Sequence, residues 1–160
     1  MSDVKTLYDE DILAWSKQQA EALRSVARGG SNQALDWDNI AEEIEDLGKA
    51  RQSALNGQIR RIIQHLLKLE NSPAIEPRRG WLISINNARV EIDYLLEKSP
   101  SLRTDIAAEI ADEMKRASRL ATYEMEKYGE LDAKTLARMR ATTYTAEQIL
   151  EDWFPPEPQA

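Results

Sequence analysis

Apolar residues recur along this chain at intervals of three and four, the spacing that places side chains on one face of an α-helix. The pattern predicts helices at about residues 9–27, 37–70, 79–98, 100–128 and 145–152. No segment shows the alternation of β-branched or aromatic residues with polar ones that is typical of strands. The sequence therefore predicts an all-α fold, an irregular antiparallel helical bundle of four main helices plus a short C-terminal helix.

The longest predicted helix begins at Asp36 or Asp38, because an acidic N-cap suits the positive end of the helix dipole. Gly48 and Gly57 lie inside it at a cost of about 1 kcal/mol each relative to Ala. They indicate a bend or, as we favour, close packing against another helix. The predicted buried stripe of this helix comprises Trp37, Ile40, Ile44, Leu47, Arg51, Leu55, Ile59, Ile62, Ile63, Leu66 and Leu69.

The ends of the other helices carry their own signals. Gly29 and Gly30 supply positive-φ positions that end the first helix. Ser99 and Pro100 fit the N-cap and the first residue of the fourth helix. The first helix is predicted to bury Ile12, Ser16, Leu23, Val26 and Ala27. The fourth helix has an inner face rich in small residues, which allows another helix to approach closely: Ile106, Ala107, Ile110, Met114, Ala117, Ala121, Met125 and Tyr128.

The last predicted helix follows Thr145 and Gln148, which fit a capping box. Residues 154–160 are predicted to form a frayed tail. The length of 160 residues suits a single helical domain over residues 1–160. Hydrophobic residues at 42% and charged residues at 31% are ordinary for a globular protein.

Several chemistries are excluded by composition. The chain has no cysteine, which rules out disulfides, thiolate zinc sites, iron–sulfur clusters and cysteine nucleophiles. It shows neither the layout of a signal peptide nor an apolar run long enough to span a membrane. We therefore expect a cytoplasmic protein with no membrane association.

The charge of the chain is segregated. The net charge is −7, with six acids and no base from Asp36 to Asp46, whereas Lys49 to Arg103 holds ten bases and five acids. We interpret this polarity as pairing within the chain or with a second copy. The net charge disfavours nucleic-acid binding, which would have to use the basic pairs Arg60-Arg61 and Arg78-Arg79.

Polar residues beside the apolar stripes are the candidate site. Glu43 lies among Ile40, Ile44 and Leu47 at helical spacing, so its carboxylate is predicted to be at least half buried. Arg89 is placed similarly on the third helix, and a buried ion needs a partner. We therefore predict a contact between Glu43 and Arg89.

His65 is the single histidine of the chain, which excludes every metal site or motif that needs two. On a continuous helix it lies roughly 33 Å from Glu43 at 1.5 Å per residue, so one ion cannot bridge the two. We interpret His65 as a helix-flank residue hydrogen-bonded to a carboxylate or water. Glu113 and Glu124 could form an acidic cleft with Glu43, but no catalytic constellation, metal site or cofactor is predicted.

Several motifs occur together: "LDWDNIAEEIEDLG", "HLLK", "GWLISINNARVEID", "SPSL" and "YTAEQIL". As a set they resemble a bacterial family known as domain of unknown function 29, over nearly the whole chain. The family motif falls here on Asp36, Trp37, Glu42, Glu45, His65, Lys68, Trp81 and Arg89, among others. The resemblance implies an all-helical, soluble small protein, and brings no activity, cofactor or partner. Leu69 stands where the family commonly has an aromatic residue.

These residues favour a non-enzymatic module that binds a protein partner or self-associates. The reasons are the Ala-rich helix, the segregated charge and the lack of convergent catalytic groups. A small-ligand or metal-binding bundle built on Glu43, His65, Arg89, Glu113 and Glu124 is the first alternative. A nucleic-acid-binding accessory protein is the second.

Overall fold

The computed structural model describes residues 4–30 and 35–157, and every regular element in these residues is helical. The predicted all-α class is confirmed. A 3₁₀ turn at Pro100–Arg103 separates the fourth and fifth helices. The helices are α1 Val4–Glu10, α2 Ile12–Arg28, α3 Trp37–Asn71, α4 Arg78–Lys98, α5 Ile106–Lys127, α6 Ala133–Ala141 and α7 Ala146–Leu150.

Contacts between Cα atoms divide the described residues into two compact units. The first lies within Met1–Leu55 and Tyr94–Thr104, and the second within Asn56–Asp93 and Asp105–Ala160. The long helix α3 and the helix α4 each contribute residues to both units. A single domain over residues 1–160 stays a prediction.

In the first unit, the helix predicted over residues 9–27 is interrupted at Asp11. The Asp11 carboxylate accepts a hydrogen bond from the Ala14 backbone N–H at 2.8 Å and so caps α2. It also accepts bonds from the backbone N–H and the hydroxyl of Ser101, at 2.6 and 3.0 Å. The N-cap has an extended backbone instead of a helical one, which explains why α1 and α2 are separate helices.

Gly48 marks a close approach of α3 to α2 in this unit. A Cβ atom at Gly48 would lie 2.6 Å from Leu13 Cδ1 and would also collide with the Ser16 hydroxyl, both buried on α2. The prediction of close packing is therefore confirmed at Gly48. At Gly57 it is wrong, because a Cβ there would meet nothing within 4 Å.

We expect Gly48→Ala and Gly57→Ala to change stability in opposite directions. Gly48→Ala overpacks a buried contact and should lower the free energy of unfolding by about 1–2 kcal/mol, in spite of the better helix propensity of Ala. Gly57→Ala gains that propensity without a clash and should raise it by about 0.5–1 kcal/mol. Urea unfolding monitored by circular dichroism measures both, and a shift of the same sign in the two variants would contradict this packing.

In the second unit, α3 and α5 run parallel. Asn56 donates to Glu109 at 2.6 Å, and Arg60, one turn later, donates to Glu113 at 2.6 Å. A parallel pair is expected when successive helices reverse direction and α4 lies between the two in sequence. The core of this unit is formed by Ile59, Ile62, Ile63, Leu66, Leu67, Leu69, Ile85, Ala88, Ile92, Ile110, Ala117, Ala121, Met125, Met139 and Ile149.

The helix predicted over residues 100–128 begins as the 3₁₀ turn, so the α-helical part is shorter than expected. Gly129 follows it with a φ of +68°, and Gly30 has a φ of +80° after α2. Gly29 has a φ of −77° and is not a left-handed position, contrary to expectation. The remaining part of the loop after α2, residues 31–34, lies outside the described residues.

The apolar pattern missed α6 and also most of α1, which begins before the predicted start at residue 9. α6 begins after Asp132, whose carboxylate accepts from the Thr135 backbone N–H at 2.6 Å. The capping box before α7 is confirmed, because Thr145 and Gln148 exchange hydrogen bonds. The frayed tail is wrong at its start, since Pro155 is buried. Residues 158–160 of the predicted tail lie outside the described residues.

Candidate functional site

A buried lysine forms an ion pair between two helices of the second unit. The Lys68 side chain is 4% exposed, and its ammonium donates to both oxygens of Glu124 at 2.9 Å. The same ammonium lies 4.8 Å from the centre of the Trp81 ring. Two of its three N–H groups are thus bound by a carboxylate, and the aromatic face stabilises the remaining positive charge. The pair fixes α3 against α4 and α5.

A cavity of about 300 Å³ lies beside this ion pair. Its walls include Lys68, Trp81, Glu124, Tyr128 and Glu130. Glu130 accepts a hydrogen bond from the Ser72 hydroxyl at 2.6 Å. The Lys68 ammonium and the Glu124 carboxylate neutralise each other, and the Glu130 carboxylate already accepts a hydrogen bond from within the chain. We therefore interpret the cluster as structural.

His65 lies half-buried on α3, close to the charges of Lys68, Glu124 and Arg61. Its Nδ1 atom is buried and has no hydrogen-bond partner among the described residues. Burial, assisted by the positive charges of Lys68 and Arg61, lowers the pKa of the imidazole to about 4. The imidazole is therefore neutral at pH 7, and the predicted hydrogen bond to a carboxylate is not made at Nδ1.

His65 makes stability depend on pH. In the unfolded chain the imidazole takes up a proton near pH 6.5, whereas the folded protein holds it neutral down to about pH 4. Protonation therefore favours the unfolded chain, and stability falls as the pH drops from 6.5 to 4. Because the side chain is partly exposed, we expect a loss of about 1 kcal/mol. Urea unfolding at both pH values, compared with His65→Gln, isolates this effect; equal pH dependence in the two proteins would disprove it.

The acidic cleft considered for Glu43, Glu113 and Glu124 offers no free carboxylate at Glu113 or Glu124, because both are bound to cations. Glu113 is 1% exposed and accepts hydrogen bonds from Arg60 at 2.6 Å and Arg116 at 2.7 Å. Glu124 is bound to Lys68, as described above, and also accepts from Gln64 at 3.1 Å. In residues 4–30 and 35–157, no three His, Cys, Asp or Glu side chains are grouped so that they could hold a metal ion.

Arg89 binds the C-terminal segment and not Glu43. Its guanidinium donates to the backbone carbonyls of Ile149 and Gln148 at 3.0 Å and of Trp153 at 2.7 Å. It also lies 4.8 Å from the centre of the Phe154 ring. Burial lowers the pKa of this guanidinium. The predicted pair with Glu43 is therefore wrong, and Arg89 instead attaches the chain after α7.

Glu43 is exposed, contrary to the prediction that it is half buried. Its apolar neighbours on the helix face are also exposed, Ile40 by 37% and Leu47 by 51%. Ala41 and Gly48, turned by about 100° from Ile40 and Leu47, are the buried positions in this part of α3. The buried face of this part of α3 is therefore turned by one residue from the face that the apolar pattern predicts.

The exposed face continues along α3 at spacings of three and four. All its members are exposed and all belong to the first unit. Its two large apolar residues, Ile40 and Leu47, flank Glu43, and its small residues at the C-terminal end leave room for a close neighbour. This surface, referred to as the α3 stripe, comprises Asp36, Ile40, Glu43, Leu47, Ala50 and Ala54.

Two of the remaining motif residues, Asp36 and Glu45, form hydrogen bonds with other residues of the first unit. Asp36 precedes the first residue of α3 and accepts from the Asn39 backbone N–H at 3.4 Å and from its side chain at 2.6 Å. Glu45 accepts from Arg24 of α2 at 2.9 Å, and this bond lowers the pKa of the Glu45 carboxyl. Trp37 has a buried Nε1 with no partner among the described residues, and Glu42 is exposed.

Two of the four arginines considered for nucleic-acid binding form hydrogen bonds within the chain. Arg60 binds Glu113, and Arg78 donates to the Leu69 carbonyl at 3.0 Å. Arg61 and Arg79 are exposed.

In the part of the chain that the structure describes, no helix has the length and apolar character needed to cross a bilayer.

The sequence profile of a family described as domain of unknown function DUF29 matches residues 7–154. Among solved structures, the fold is similar to that of an alpha-helical protein of unknown function from Rhodospirillum rubrum. The two share 23% sequence identity with a TM-score of 0.68, over 92% of this chain and 91% of that one, a likeness of fold alone. No curated protein matches the chain. The chain therefore belongs to the family of the domain of unknown function DUF29.

Proposed function

We propose that this protein is an interaction module that binds a basic amphipathic helix of a partner protein through the α3 stripe. The observation that supports this is the exposure of Ile40 and Leu47, at 37% and 51%, on a helix face with regular apolar spacing. Single exposed apolar residues are normal on a protein surface. Two of them seven residues apart, continued by Ala50 and Ala54, form the anchor spacing of helix recognition.

The acidic residues on and beside the α3 stripe favour a basic partner. The stripe carries Asp36 and Glu43, and the exposed Asp38 and Glu42 lie on the same turns of α3. No ion pair joins Asp38, Glu42 or Glu43 to another described residue. A partner with lysine or arginine flanking an apolar face therefore gains attraction at the rim, whereas an acidic partner is repelled.

The test uses a synthetic peptide with leucine and alanine on one helical face and lysine on the others. Fluorescence anisotropy of the labelled peptide, titrated with the full chain, gives the affinity. Replacing both anchors in Ile40→Ser/Leu47→Ser removes about 1 kcal/mol of apolar burial at each position, so we expect binding to weaken about 30-fold. Binding of the wild type should also weaken as salt is raised.

Ile75→Ser provides the matched control, because Ile75 is 82% exposed but lies outside the stripe. This variant should bind the peptide as the wild type does. Equal affinity of the wild type and the Ile40→Ser/Leu47→Ser variant, or no binding to the wild type at all, would contradict the proposed function.

A further inference from the structure

The second unit contains a groove with the properties that the α3 stripe requires of a partner. It has a volume of about 470 Å³ and lies along α5 beside α6 and the chain that follows α6. The α5 side of the groove is formed by Ala107, Ala111, Met114 and Ser118. Ala107 and Ala111 are exposed, although the sequence pattern places Ala107 on a buried face.

Two cations border this apolar groove. Lys115 on α5 and Arg140 on α6 line it, and both are exposed. Neither forms an ion pair with another residue in the described ranges. An unpaired lysine and arginine beside an apolar surface attract a carboxylate that enters with an apolar side chain.

The groove and the stripe also agree in spacing and size. Ala107, Ala111, Met114 and Ser118 follow one another at intervals of four, three and four, as do Asp36, Ile40, Glu43 and Leu47. Each row extends about 16 Å at 1.5 Å per residue. The large side chains of the stripe face small or adaptable ones in the groove, which is the condition for close helix packing.

From this match we infer that the partner is a second copy of the chain, whose α5 groove receives the α3 stripe. The inference rests on the proposed function and names its partner, in which Lys115 and Arg140 at the rim of the groove supply the basic side chains. Contact between two identical stripes is disfavoured, because Asp36 and Glu43 of one copy would face the same acids of the other. A contact between stripe and groove instead brings Glu43 towards Lys115 and Arg140, and it unites two different surfaces of the chain.

Mixing two variants tests this arrangement. The stripe variant is Ile40→Ser/Leu47→Ser, and the groove variant is Lys115→Glu/Arg140→Glu, which changes only exposed side chains. Sedimentation velocity should show association of the wild type and monomers for either variant alone. An equimolar mixture should form a dimer of one copy of each, because the groove variant keeps its stripe and the stripe variant keeps its groove.

A chain that carries all four substitutions provides the control, since it should remain monomeric in every mixture. Ile75→Ser should associate like the wild type. A mixture of the two variants that stays monomeric, or a wild type that stays monomeric at high concentration, overturns the inference. If the wild type stays monomeric but still binds the basic peptide through the stripe, the further inference is wrong and the proposed function is supported. If the stripe binds neither a second copy nor the peptide, both proposals are wrong.

Discussion

Glu124→Ala should lower the free energy of unfolding by about 3 kcal/mol, because it leaves the Lys68 ammonium buried without its counter-ion. Lys68 is 4% exposed, whereas Glu124 is 36% exposed, so the two partners respond differently to the loss of the other. An uncompensated charge in an apolar setting costs more than the interaction it once made. Urea unfolding monitored by circular dichroism measures the loss.

Lys68→Met is the informative comparison. It removes the buried charge, fills a similar volume and leaves Glu124 partly in contact with water, so it should cost about 1 kcal/mol or less. The double variant Lys68→Met/Glu124→Ala should be more stable than Glu124→Ala alone. If Lys68→Met were as damaging as Glu124→Ala, the ion pair would not have the asymmetry described here.

Arg89→Met should lower the free energy of unfolding by about 3 kcal/mol, because it removes charged hydrogen bonds to three carbonyls of the C-terminal segment. We expect α7 and the chain after it to open before the rest of the protein unfolds. Without the guanidinium, the carbonyls of Gln148, Ile149 and Trp153 turn to water, and α7 has only 5 residues to hold it in place. Hydrogen exchange measured by mass spectrometry should therefore be faster over residues 146–155.

Arg89→Lys serves as the matched control for charge. A lysine keeps the positive charge but cannot present the planar fork of donors that reaches three carbonyls at once, so it should restore only part of the protection. Unchanged exchange at the C-terminal segment in Arg89→Met would show that Arg89 does not anchor it.

Much of the fold could be predicted because its signals are local. α3 follows an acidic N-cap and a long apolar repeat, and its bounds Trp37–Asn71 differ from the predicted 37–70 by one residue. The capping box of Thr145 and Gln148 fixes the start of α7 in the same way. Such contacts lie within one turn of helix, so no knowledge of the tertiary structure is needed to foresee them.

The missed elements depend on weaker or more distant contacts. α6 has only Leu136 and Met139 as large apolar residues, which gives too short a repeat to detect; Gly129 and the cap Asp132 were the available signals. At Asp11 a local cap on Ala14 is combined with bonds from Ser101, which is 90 residues away. Periodicity carries no information about a partner at that distance.

The site residues show the same limit. The sequence identified Glu113, Glu124 and Arg89 as polar groups beside apolar stripes, and all three are engaged in bonds within the second unit. Their partners could not be predicted, because they come from other helices or from the backbone. Ile40 and Leu47 were assigned to the core, since spacing alone does not tell whether an apolar face is covered by the same chain or by another.

The free energy of unfolding of Ile40→Ser/Leu47→Ser tests most directly whether this face serves binding or the core. Ser has a helix propensity similar to that of Ile and lower than that of Leu, and the native side chains of Ile40 and Leu47 are 37% and 51% exposed. We therefore predict that the double substitution lowers the free energy of unfolding by about 1 kcal/mol under conditions where the chain is monomeric. Leu55→Ala, at a fully buried position of the same helix, should cost 2–5 kcal/mol as a reference for the core. A loss of about 4 kcal/mol or more in the stripe variant would place these side chains in the core and contradict the account.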